Sequence, residues 1–591
     1  MRHGFLGYGE AGHTSTFLTG QLTFFAPVGV EVCGGDHGAG VMIKFQNPSR
    51  AEIWMEHPRA GNSRDRSGRA GKARISKDGA GESHNLYSLC LLRLTTKEML
   101  TRLRVSGFKN LVDVDVHFGP FTCIAGANGV GKSNLFDAIA FLSALAEKPL
   151  IDAALSVRDE GGRSGDVRSL FHRVGGTYTD EMSFDVEMVV PKTGYDDLGQ
   201  TAKATATFLH YELVLRYRPY EGQRAVGGLE IIKEELRHIK RGDAGKHLPF
   251  GPSSAWKKSV ITGVRGTPFI STHPDSGSAI IKIHQDGKAG RARMLPATNL
   301  PRTALSATSA AETKTATLAR REMQSWKLLQ LEPSSLRAPD SFTAPTKLGS
   351  DGSHLAATLY RMGRAGDTSE KKVATNSQDN PMYAKVANRL SELLEDVRGL
   401  SISRDENREQ LTLFLEGRDG TAHPARALSD GTLRFLALAV LELDFEAQGV
   451  LCLEEPENGI HPKRIPAILN LLRDIAVDTD YAVGVDNPLR QVIVNTHSPS
   501  VVAQVSDDSL LIAESRELVS EGRPFKALSF ACLPNTWRAR IDKADIVRRG
   551  RILEYLSPIA ASDSWRYQAD SSARIHKRVI DRDDMQEKLF Q

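Results

Sequence analysis

Residues 121–141, FTCIAGANGVGKSNLFDAIAF, decide the fold. The stretch begins with a short apolar run, 121–125, which is typical of a buried strand. Residues 126–133 then read GANGVGKS and match the G-x-x-x-x-G-K-[ST] phosphate loop at every fixed position. Because Leu135 and Ile139 continue at helical spacing, a helix is expected directly after the loop. A strand, a glycine-rich loop and a helix in this order predict a site for a phosphorylated ligand.

The residues of this phosphate loop, 126–133, indicate how the ligand would be held. Glycines let the backbone wrap around a phosphate, and N–H groups at a helix N-terminus attract anions. Lys132 is expected to reach the β- and γ-phosphates, and Ser133 to hold Mg²⁺. The alternative is a glycine turn with Gly-Lys-Ser by chance, and both flanking elements speak against it. The residues predicted to contact the nucleotide are Gly126, Asn128, Gly129, Gly131, Lys132, Ser133 and Asn134.

The composition is ordinary for a soluble globular protein, and the length can hold two or more domains. The chain has 591 residues, 40% hydrophobic and 25% charged, and a domain takes roughly 150 residues. No apolar run reaches the roughly 18 residues of a membrane span, so no membrane association is expected. The five cysteines are scattered without a C-x-x-C pair. This pattern argues against a disulfide framework or a zinc knuckle and favours a reducing cytoplasm.

The net charge gives no argument for nucleic-acid binding. It is formally +4, and residues 1–98 contribute +3 through twelve Lys and Arg against nine Asp and Glu. The other 493 residues therefore carry about +1 (4 − 3). The net charge does not exclude a local basic patch.

Residues 1–98 are expected to be a disordered or non-native extension. Residues 59–77 contain almost no apolar side chain and cannot support a core, and the start of the chain lacks the order of a signal peptide. A basic arm for nucleic acid is the alternative. A regular pattern begins only at Met99, so we expect functional translation to start there. An intact-mass measurement of the native protein that includes residues 1–98 would contradict this.

Residues 99–150 complete the N-terminal half of the predicted site. Val112, Val114 and Val116 alternate with acidic residues, which is typical of a half-buried strand. Two strands before the phosphate loop predict an antiparallel edge on the nucleotide-binding sheet. Residues 99–139, MLTRLRVSGFKNLVDVDVHFGPFTCIAGANGVGKSNLFDAI, closely resemble the N-terminal head of RecF-like and SMC-like ATPases, the soluble ABC-type members of the P-loop class. The resemblance implies an α/β P-loop NTPase head with a mixed sheet, ATP and Mg²⁺ as ligands, and further motifs downstream.

Residues 151–395 are expected to be an insertion with an antiparallel β part and a helical part. The β-rich stretches are 182–190, 204–218, 229–239 and 278–284, and the helical ones are 313–331, 353–364 and 381–395. No stretch sustains heptads, so the long coiled-coil arms of SMC proteins are not expected.

A loop that senses the γ-phosphate is expected near 161–173, by the same resemblance. Such loops normally carry Gln, and the polar options here are Arg163, Arg168 and His172. A plain surface loop is an equal alternative.

Residues 427–438, ALSDGTLRFLAL, resemble the L-S-G-G-Q signature of ABC-type ATPases, with Asp430 and Thr432 as departures. Ser429 and the Gly431 amide stand at a predicted helix start, which suits an anion. The resemblance implies that this signature segment faces the γ-phosphate bound by the other subunit, and therefore implies a homodimer. Taken alone, the segment would be only a helix cap.

Residues 449–456, GVLCLEEP, form an apolar strand that ends in two carboxylates. By resemblance to the Walker B element, Glu454 would orient the Mg²⁺ shell and Glu455 would polarise the attacking water. A strand stopped by solvated acids is the alternative. Residues 457–462 occupy the position of the D-loop, with His461 where Asp is common.

Residues 491–499, QVIVNTHSP, match the switch-histidine segment, and His497 is expected to hydrogen-bond the γ-phosphate. After a last strand at 510–513 only about 75 residues remain, without a convincing Toprim set of acidic residues. The overcoming-lysogeny-defect ATPases join a similar head to such a nuclease. The chain therefore resembles that ATPase without its nuclease, divided into 99–150, 151–395, 396–515 and a C-terminal segment, 516–591.

Two functions agree with these patterns. The first is ATP hydrolysis coupled to dimerisation, in DNA maintenance and repair or in antiviral defence, with DNA or a separate effector protein as partner. The second is a slow nucleotide-gated sensor or scaffold that binds an effector protein. The soluble subunit of a membrane transporter is disfavoured by the large insertion and the RecF-like start.

Overall fold

A computed structural model divides the chain into two compact units, Met1–Gly81 and Glu82–Gln591. The structure describes residues 29–35, 38–44, 53–56, 99–157, 166–219, 228–274, 279–287, 290–365, 380–394, 396–444, 446–447, 449–484, 486–520 and 522–548.

The first unit contains a three-stranded antiparallel sheet. Its strands, in the order β1-β2-β3, are β1 (Gly29–Gly35), β2 (Gly38–Lys44) and β3 (Ile53–Glu56). The sequence analysis expected a disordered extension here and did not predict these strands, because glycines interrupt the apolar residues of β1 and β2. The basic stretch 59–77 lies outside the described residues.

The second unit is built on strands that form two large sheets and several small ones. They are β4 (Met99–Ser106), β5 (Val114–His117), β6 (Phe121–Ala125), β7 (Arg173–Val174), β8 (Thr177–Tyr178), β9 (Glu181–Val189), β10 (Thr193–Tyr195), β11 (Thr201–Lys203), β12 (Phe208–Arg218), β13 (Gly228–His238), β14 (Ile270–His273), β15 (Ile280–Ile283), β16 (Arg293–Pro296), β17 (Lys327–Leu329), β18 (Asp340–Ser341), β19 (Val397–Asp405), β20 (Gln410–Gly417), β21 (Ala422–Pro424), β22 (Gly449–Glu454), β23 (Arg490–Thr496), β24 (Leu510–Ser520), β25 (Arg523–Cys532) and β26 (Asp545–Ile546).

The α-helices of this unit cover the sheets. They are α1 (Lys132–Leu145), α2 (Leu150–Leu155), α3 (Ala244–His247), α4 (Ser254–Val260), α5 (Lys314–Ser325), α6 (Pro333–Arg337), α7 (Leu355–Ala365), α8 (Pro381–Ser391), α9 (Asp430–Leu443), α10 (Ile465–Ile475) and α11 (Pro499–Val502). Among the helices described, none is both long and apolar enough to cross a membrane.

A seven-stranded mixed sheet carries the predicted motifs, in the order β17-β22-β23-β6-β24-β25-β26. The first five strands are parallel, and β25 runs antiparallel to β24. The strand before the phosphate loop, β6, therefore lies beside the switch strand β23, which lies beside the double-glutamate strand β22. The prediction of an α/β P-loop head with a mixed sheet is confirmed.

Both faces of the parallel part of this sheet are buried. Ile124 and Ile493 belong to the core that contains α1 and the second large sheet, whereas Cys123 and Val494 belong to the core with α7 to α10. Neighbouring residues of a strand point to opposite faces, and parallel strands are normally covered on both sides. The apolar runs of the motif strands follow from this double burial.

The second large sheet is antiparallel and has eight strands, in the order β16-β15-β14-β13-β12-β9-β4-β5. The predicted antiparallel insertion is present, but β4 and β5 belong to it and not to the edge of the nucleotide-binding sheet, so that expectation is wrong. The physical reason is the long pairing of β4 with β9. Leu103 and Val105 are buried on one face, whereas Arg102 and Arg104 reach the other.

Two predicted boundaries also move. The helix expected over 313–331 ends at Ser325, and the remaining residues include β17, which pairs in parallel with β22. The strand expected at 510–513 continues as β24 to Ser520 and turns back as β25. The mixed sheet therefore recruits one strand from the insertion and two from the C-terminal segment.

Candidate functional site

The phosphate loop connects the end of β6 to the first turn of α1. Gly129 and Gly131 have φ values of +78° and +103°, a region that glycine enters without steric cost. A Cβ atom on Gly131 would lie 2.2 Å from the side-chain nitrogen of Asn110. Glycine at this position is therefore required by the backbone conformation and by the close approach of a neighbour.

Asn110, which the sequence reasoning did not select, supports this loop. Its Nδ2 donates to the carbonyl of Val130 over 2.9 Å, and its Oδ1 accepts from Asn134 Nδ2 over 2.8 Å. Its own carbonyl accepts from the backbone N–H of Leu528 in β25. Asn110 thus binds the phosphate loop through its side chain and the C-terminal hairpin through its backbone carbonyl. A single asparagine in a loop gives no sequence pattern that would reveal this.

The side chain of Lys132 folds back and hydrogen-bonds to the phosphate loop itself. Its side chain is buried, and Nζ donates to the carbonyls of Gly126 over 2.7 Å and Ala127 over 3.0 Å. Burial lowers the pKa of Lys132, while the nearby carboxylates, Glu455 first among them, act in the opposite direction. A triphosphate would have to replace these two carbonyls as the acceptor of the ammonium protons.

The double glutamate lies at the carboxyl end of β22. Successive strand residues point to opposite sides, but Glu455 has a φ of +46° and leaves the strand geometry. Its N–H donates to the backbone carbonyl of Asn495 over 3.0 Å and to the side-chain oxygen of the same residue over 3.1 Å. Because the backbone turns at this point, both Glu454 and Glu455 line one cavity.

The Glu455 carboxylate is held by two side chains. Oε1 lies 2.5 Å from Nδ1 of His497, and Oε2 accepts from Nδ2 of Asn458 over 2.8 Å. Burial acts to raise the pKa of Glu455, but the hydrogen bonds from Asn458 and His497 and the charge of Lys132 lower it overall. The group is therefore kept ionised. Asn458, in the predicted D-loop, is a second residue that sequence reasoning missed.

A cavity of about 710 Å³ joins the two predicted halves of the site. Its lining includes Lys132 and Ser133 on one side and Glu454 and Glu455 on the other. The other predicted ligand residues in its wall are Asn128, Gly129, Gly131 and Asn134. Segments far apart in the sequence are thus brought to one cavity by the β6-β23-β22 strand order.

Four predicted residues do not line this cavity in the described part of the chain. Gly126 lies behind it, where its N–H donates to the Thr496 carbonyl over 3.2 Å, and His497 reaches the site through Glu455. Ser429 caps α9 by accepting from the N–H of Thr432 over 3.3 Å. Gly431 packs against the D-loop, where a Cβ atom would lie 2.6 Å from the Gly459 carbonyl.

Gln330 lines the same cavity, whereas the sequence reasoning expected the γ-phosphate-sensing residue near 161–173. It follows β17 directly, lines the cavity, and donates from Nε2 to Glu454 Oε2 over 3.4 Å. Of the residues proposed earlier, Arg163 lies outside the described residues. Arg168 lies over the ring of Tyr178, at 4.5 Å from its centroid. The overlooked signal was the short apolar run before Gln330, read as the end of a helix.

His172, the remaining option for the sensing residue, is also occupied elsewhere. Its Nδ1 lies 2.6 Å from the carbonyl of Lys109, and its ring lies 5.0 Å from that of Phe525. Neither His172 nor Arg168 lines the cavity. The interpretation of 161–173 as the γ-phosphate-sensing loop is therefore wrong for both described candidates.

The donors around the cavity fit magnesium and a triphosphate. Mg²⁺ prefers oxygen ligands and usually takes one or two from the protein with the rest from water and phosphate. The hydroxyl of Ser133, the carboxylate of Glu454 and the amide oxygen of Gln330 are such oxygens, all in the lining. The glycine turn and the lysine provide the N–H groups and the charge that phosphates need.

Comparisons with known proteins give one sequence family and a set of similar structures. The family described as "AAA domain, putative AbiEii toxin, Type IV TA system" matches residues 121–194 and 284–503. The range between these two matches contains strands β12 to β15 of the antiparallel sheet. None of the curated proteins matches the sequence.

Three solved SMC heads are similar in structure. A head bound to the C-terminal winged-helix domain of ScpA is 14% identical, with a TM-score of 0.36, and covers 74% of this chain and 98% of its own. A head from Pyrococcus furiosus with an extended coiled coil, bound to the C-terminal domain of ScpA, is 11% identical, with a TM-score of 0.35 and coverages of 74% and 96%. A head from Thermotoga maritima is 11% identical, with a TM-score of 0.30 and coverages of 73% and 98%.

Proposed function

We propose that this chain, whose residues 121–194 and 284–503 match an AAA domain family, hydrolyses ATP in the cavity between the phosphate loop and the end of β22. One observation carries the proposal. The lysine and serine of the phosphate loop and both glutamates of β22 line the same cavity, with Gln330 beside Glu454. A phosphate-binding turn and two adjacent carboxylates are the parts that hydrolysis of a phosphoanhydride requires.

Phosphoryl transfer needs positioning and charge neutralisation more than covalent chemistry. Lys132 binds the terminal phosphates once they displace the carbonyls of Gly126 and Ala127. Ser133 and Glu454, together with Gln330, would hold Mg²⁺. When bound, the ion neutralises the negative charge of the phosphate oxygens.

Glu455 orients the attacking water and accepts its proton. The lowered pKa keeps this carboxylate ionised, and its two hydrogen bonds fix its direction. His497 is placed to report the state of the γ-phosphate, since it contacts Glu455 and is itself exposed.

The function is tested with Glu455→Gln, which keeps the shape of the side chain. This variant should bind ATP as the wild type does and lose hydrolysis by about 100-fold or more. Glu517→Gln, an exposed glutamate on β24, is the matched control and should hydrolyse normally. Wild-type turnover in Glu455→Gln would refute the assignment, and absence of turnover in the wild type would refute the proposed reaction.

A second copy of the chain completes the site. Ser429 and Gly431 do not line the cavity of their own chain, and they stand at the start of α9, where N–H groups suit an anion. ATP would then lie between the phosphate loop of one subunit and the signature segment of the other. The Glu455→Gln variant should accumulate as a dimer with ATP and Mg²⁺ and as a monomer without them.

Complementation tests the shared site directly. Lys132→Ala removes the phosphate contact, and Ser429→Arg blocks the signature segment, so each variant alone should be inactive. A mixture contains dimers that join the intact phosphate loop of one chain to the intact signature segment of the other. Mixing should therefore restore activity. If each chain holds a complete site, mixing will restore none.

The proposed cellular role is DNA maintenance or antiviral defence together with an effector protein. The eight-stranded sheet gives little support for DNA as the partner, because arginines on its exposed face are paired with carboxylates of neighbouring strands. Arg102 pairs with Asp115 over 2.5 Å and Arg216 with Glu181 over 2.6 Å. Binding to a DNA backbone depends on cations that are free to replace counterions.

The second candidate is thus a slow nucleotide-gated sensor that binds an effector protein. Steady-state hydrolysis with and without duplex DNA separates the two. Strong stimulation by DNA supports the first function. Slow turnover without stimulation, together with an effector protein recovered on the Glu455→Gln dimer, supports the second.

A further inference from the structure

A buried carboxyl group lies directly behind the site, at Glu457. Its side chain is 7% exposed. Oε1 accepts a short hydrogen bond from the hydroxyl of Thr496, and Oε2 is buried without a hydrogen-bond partner among the described residues. An unsatisfied buried carboxyl oxygen is costly, and such groups call for an explanation other than stability.

The hydroxyl of Thr496 links Glu457 to the switch segment. This hydroxyl donates its one proton to Glu457 and accepts the backbone N–H of Ser498 over 2.9 Å. The two bonds are compatible because a hydroxyl has one proton and two lone pairs. His497 lies between the two bonded residues, at the point where β23 ends. Its backbone is therefore fixed from both sides.

The fixed backbone determines where the imidazole of His497 lies. The ring is exposed, and its Nδ1 lies 2.5 Å from Oε1 of Glu455. A side chain without enclosing walls takes its position mainly from its backbone. Loss of the Thr496 bond would free the segment after β23 and with it the contact between His497 and Glu455.

The hydrogen bond from Thr496 does not depend on the charge of Glu457. Burial raises the pKa of this carboxyl group, and the bond from Thr496 acts in the opposite direction. If a proton binds, the free oxygen Oε2 receives it, and Oε1 still accepts from Thr496. An amide in place of the carboxyl group keeps the same acceptor.

We propose that Glu457 is a positioning residue for the hydrolysis reaction. Through its hydrogen bond with Thr496, it fixes the position of His497 relative to Glu455. This inference rests on the proposed function, since His497 and Glu455 were assigned their roles there. It requires that the hydroxyl of Thr496 and an acceptor at position 457 act as one unit.

Kinetics with four single variants and one double variant test the proposal. Thr496→Val and Glu457→Ala should each lower kcat about tenfold and leave the KM for ATP within about twofold. Thr496→Ser and Glu457→Gln retain the bond and should behave as the wild type. The double variant with both removals should be no slower than the slower single one, because each removes the same bond.

Two kinetic outcomes overturn the proposal. Equal impairment in Glu457→Gln and Glu457→Ala would show that charge matters and not the acceptor. Multiplied losses in the double variant would show two independent roles.

Amide hydrogen exchange on the nucleotide-free protein is a second test of the proposal, and it does not depend on hydrolysis. In a peptide covering residues 493–502, the Ser498 amide should exchange about tenfold faster in Thr496→Val and Glu457→Ala than in the wild type and the two conservative variants. Unchanged exchange in Glu457→Ala overturns the proposal. If the wild type does not hydrolyse ATP, the proposed function fails, while the exchange data still decide the role of Glu457.

Discussion

The side-chain amide of Gln330 donates to the carboxylate of Glu454 over 3.4 Å, although 124 residues separate them in the chain. The contact exists because β17 pairs in parallel with β22, so the two strands end at the same edge of the sheet. Gln330 and Glu454, which follow the last paired residues Leu329 and Leu453, therefore reach the same cavity. This places an amide beside the carboxylate that is proposed to hold Mg²⁺.

We predict that Gln330→Ala lowers the rate of ATP hydrolysis about 10- to 100-fold, as loss of a group that orients a metal ligand does. The phosphate loop is untouched, so binding of ATP without Mg²⁺ should stay at the wild-type level. Gln504→Ala, at an exposed glutamine, is the control and should have no effect. Wild-type hydrolysis at all Mg²⁺ concentrations in Gln330→Ala would contradict the role.

The sequence predicted those parts of the site that are contiguous runs with a strict residue order. The phosphate loop, the double glutamate and the switch segment each follow an apolar strand, and each strand is buried on both faces. Their joint position followed from the resemblance to ABC-type heads, and the structure brings the first two to one cavity. The fold class followed from the same runs and is confirmed.

The rest depends on contacts that a local pattern does not contain. Gln330 was missed because β17 has only three residues, Lys327–Leu329, and continues the apolar spacing of the helix before it. Asn458 was missed because a single polar residue in a loop has no period. The alternation in β4 shows that one face is buried, but it does not show that β9 is the partner.

We predict that Lys132→Ala weakens ATP binding about 100-fold, which is the scale of losing hydrogen bonds to a charged group. The ammonium is buried and donates to two loop carbonyls, so in the free protein its removal deletes two charge-assisted hydrogen bonds and costs some stability as well. Binding of a fluorescent ATP analogue measures the first effect. Lys148→Ala, at an exposed lysine just beyond α1, should bind the analogue normally.

We predict that Gly431→Ala impairs ATP hydrolysis and dimerisation. Exchange of glycine for alanine in a helix is normally favourable, but a Cβ atom here would meet the Gly459 carbonyl at 2.6 Å. The D-loop would have to shift, at a cost of about 1–3 kcal/mol in the free energy of unfolding. Gly484→Ala, where a Cβ atom meets nothing within 4 Å, is the control. A fully active Gly431→Ala protein would show that the D-loop position is unimportant.

The buried carboxyl of Glu234 in β13 predicts how stability changes with pH. Its oxygens accept the backbone N–H groups of Ala304 and Leu305 over 2.7 and 2.8 Å, and the hydroxyl of Tyr211 over 3.2 Å. Burial raises the pKa of Glu234 to about 7, against the effect of these three hydrogen bonds. The Glu234 carboxyl therefore connects residues 304–305, which follow β16, to strand β13 of the antiparallel sheet.

We predict that this group makes the protein less stable as the pH rises from about 5 to about 8. A carboxyl group whose pKa is raised by folding stabilises the folded state fully below its unfolded pKa, and this contribution is lost as the pH passes the folded value. The full loss is about 3 kcal/mol in the free energy of unfolding. In Glu234→Gln the corresponding slope should disappear, so the wild type and the variant should be most similar at pH 5 and diverge as the pH rises, whereas Glu517→Gln should keep the wild-type slope. Denaturant unfolding at pH 5, 6, 7 and 8 measures this. Parallel curves for the wild type and Glu234→Gln would show that Glu234 does not titrate in this range.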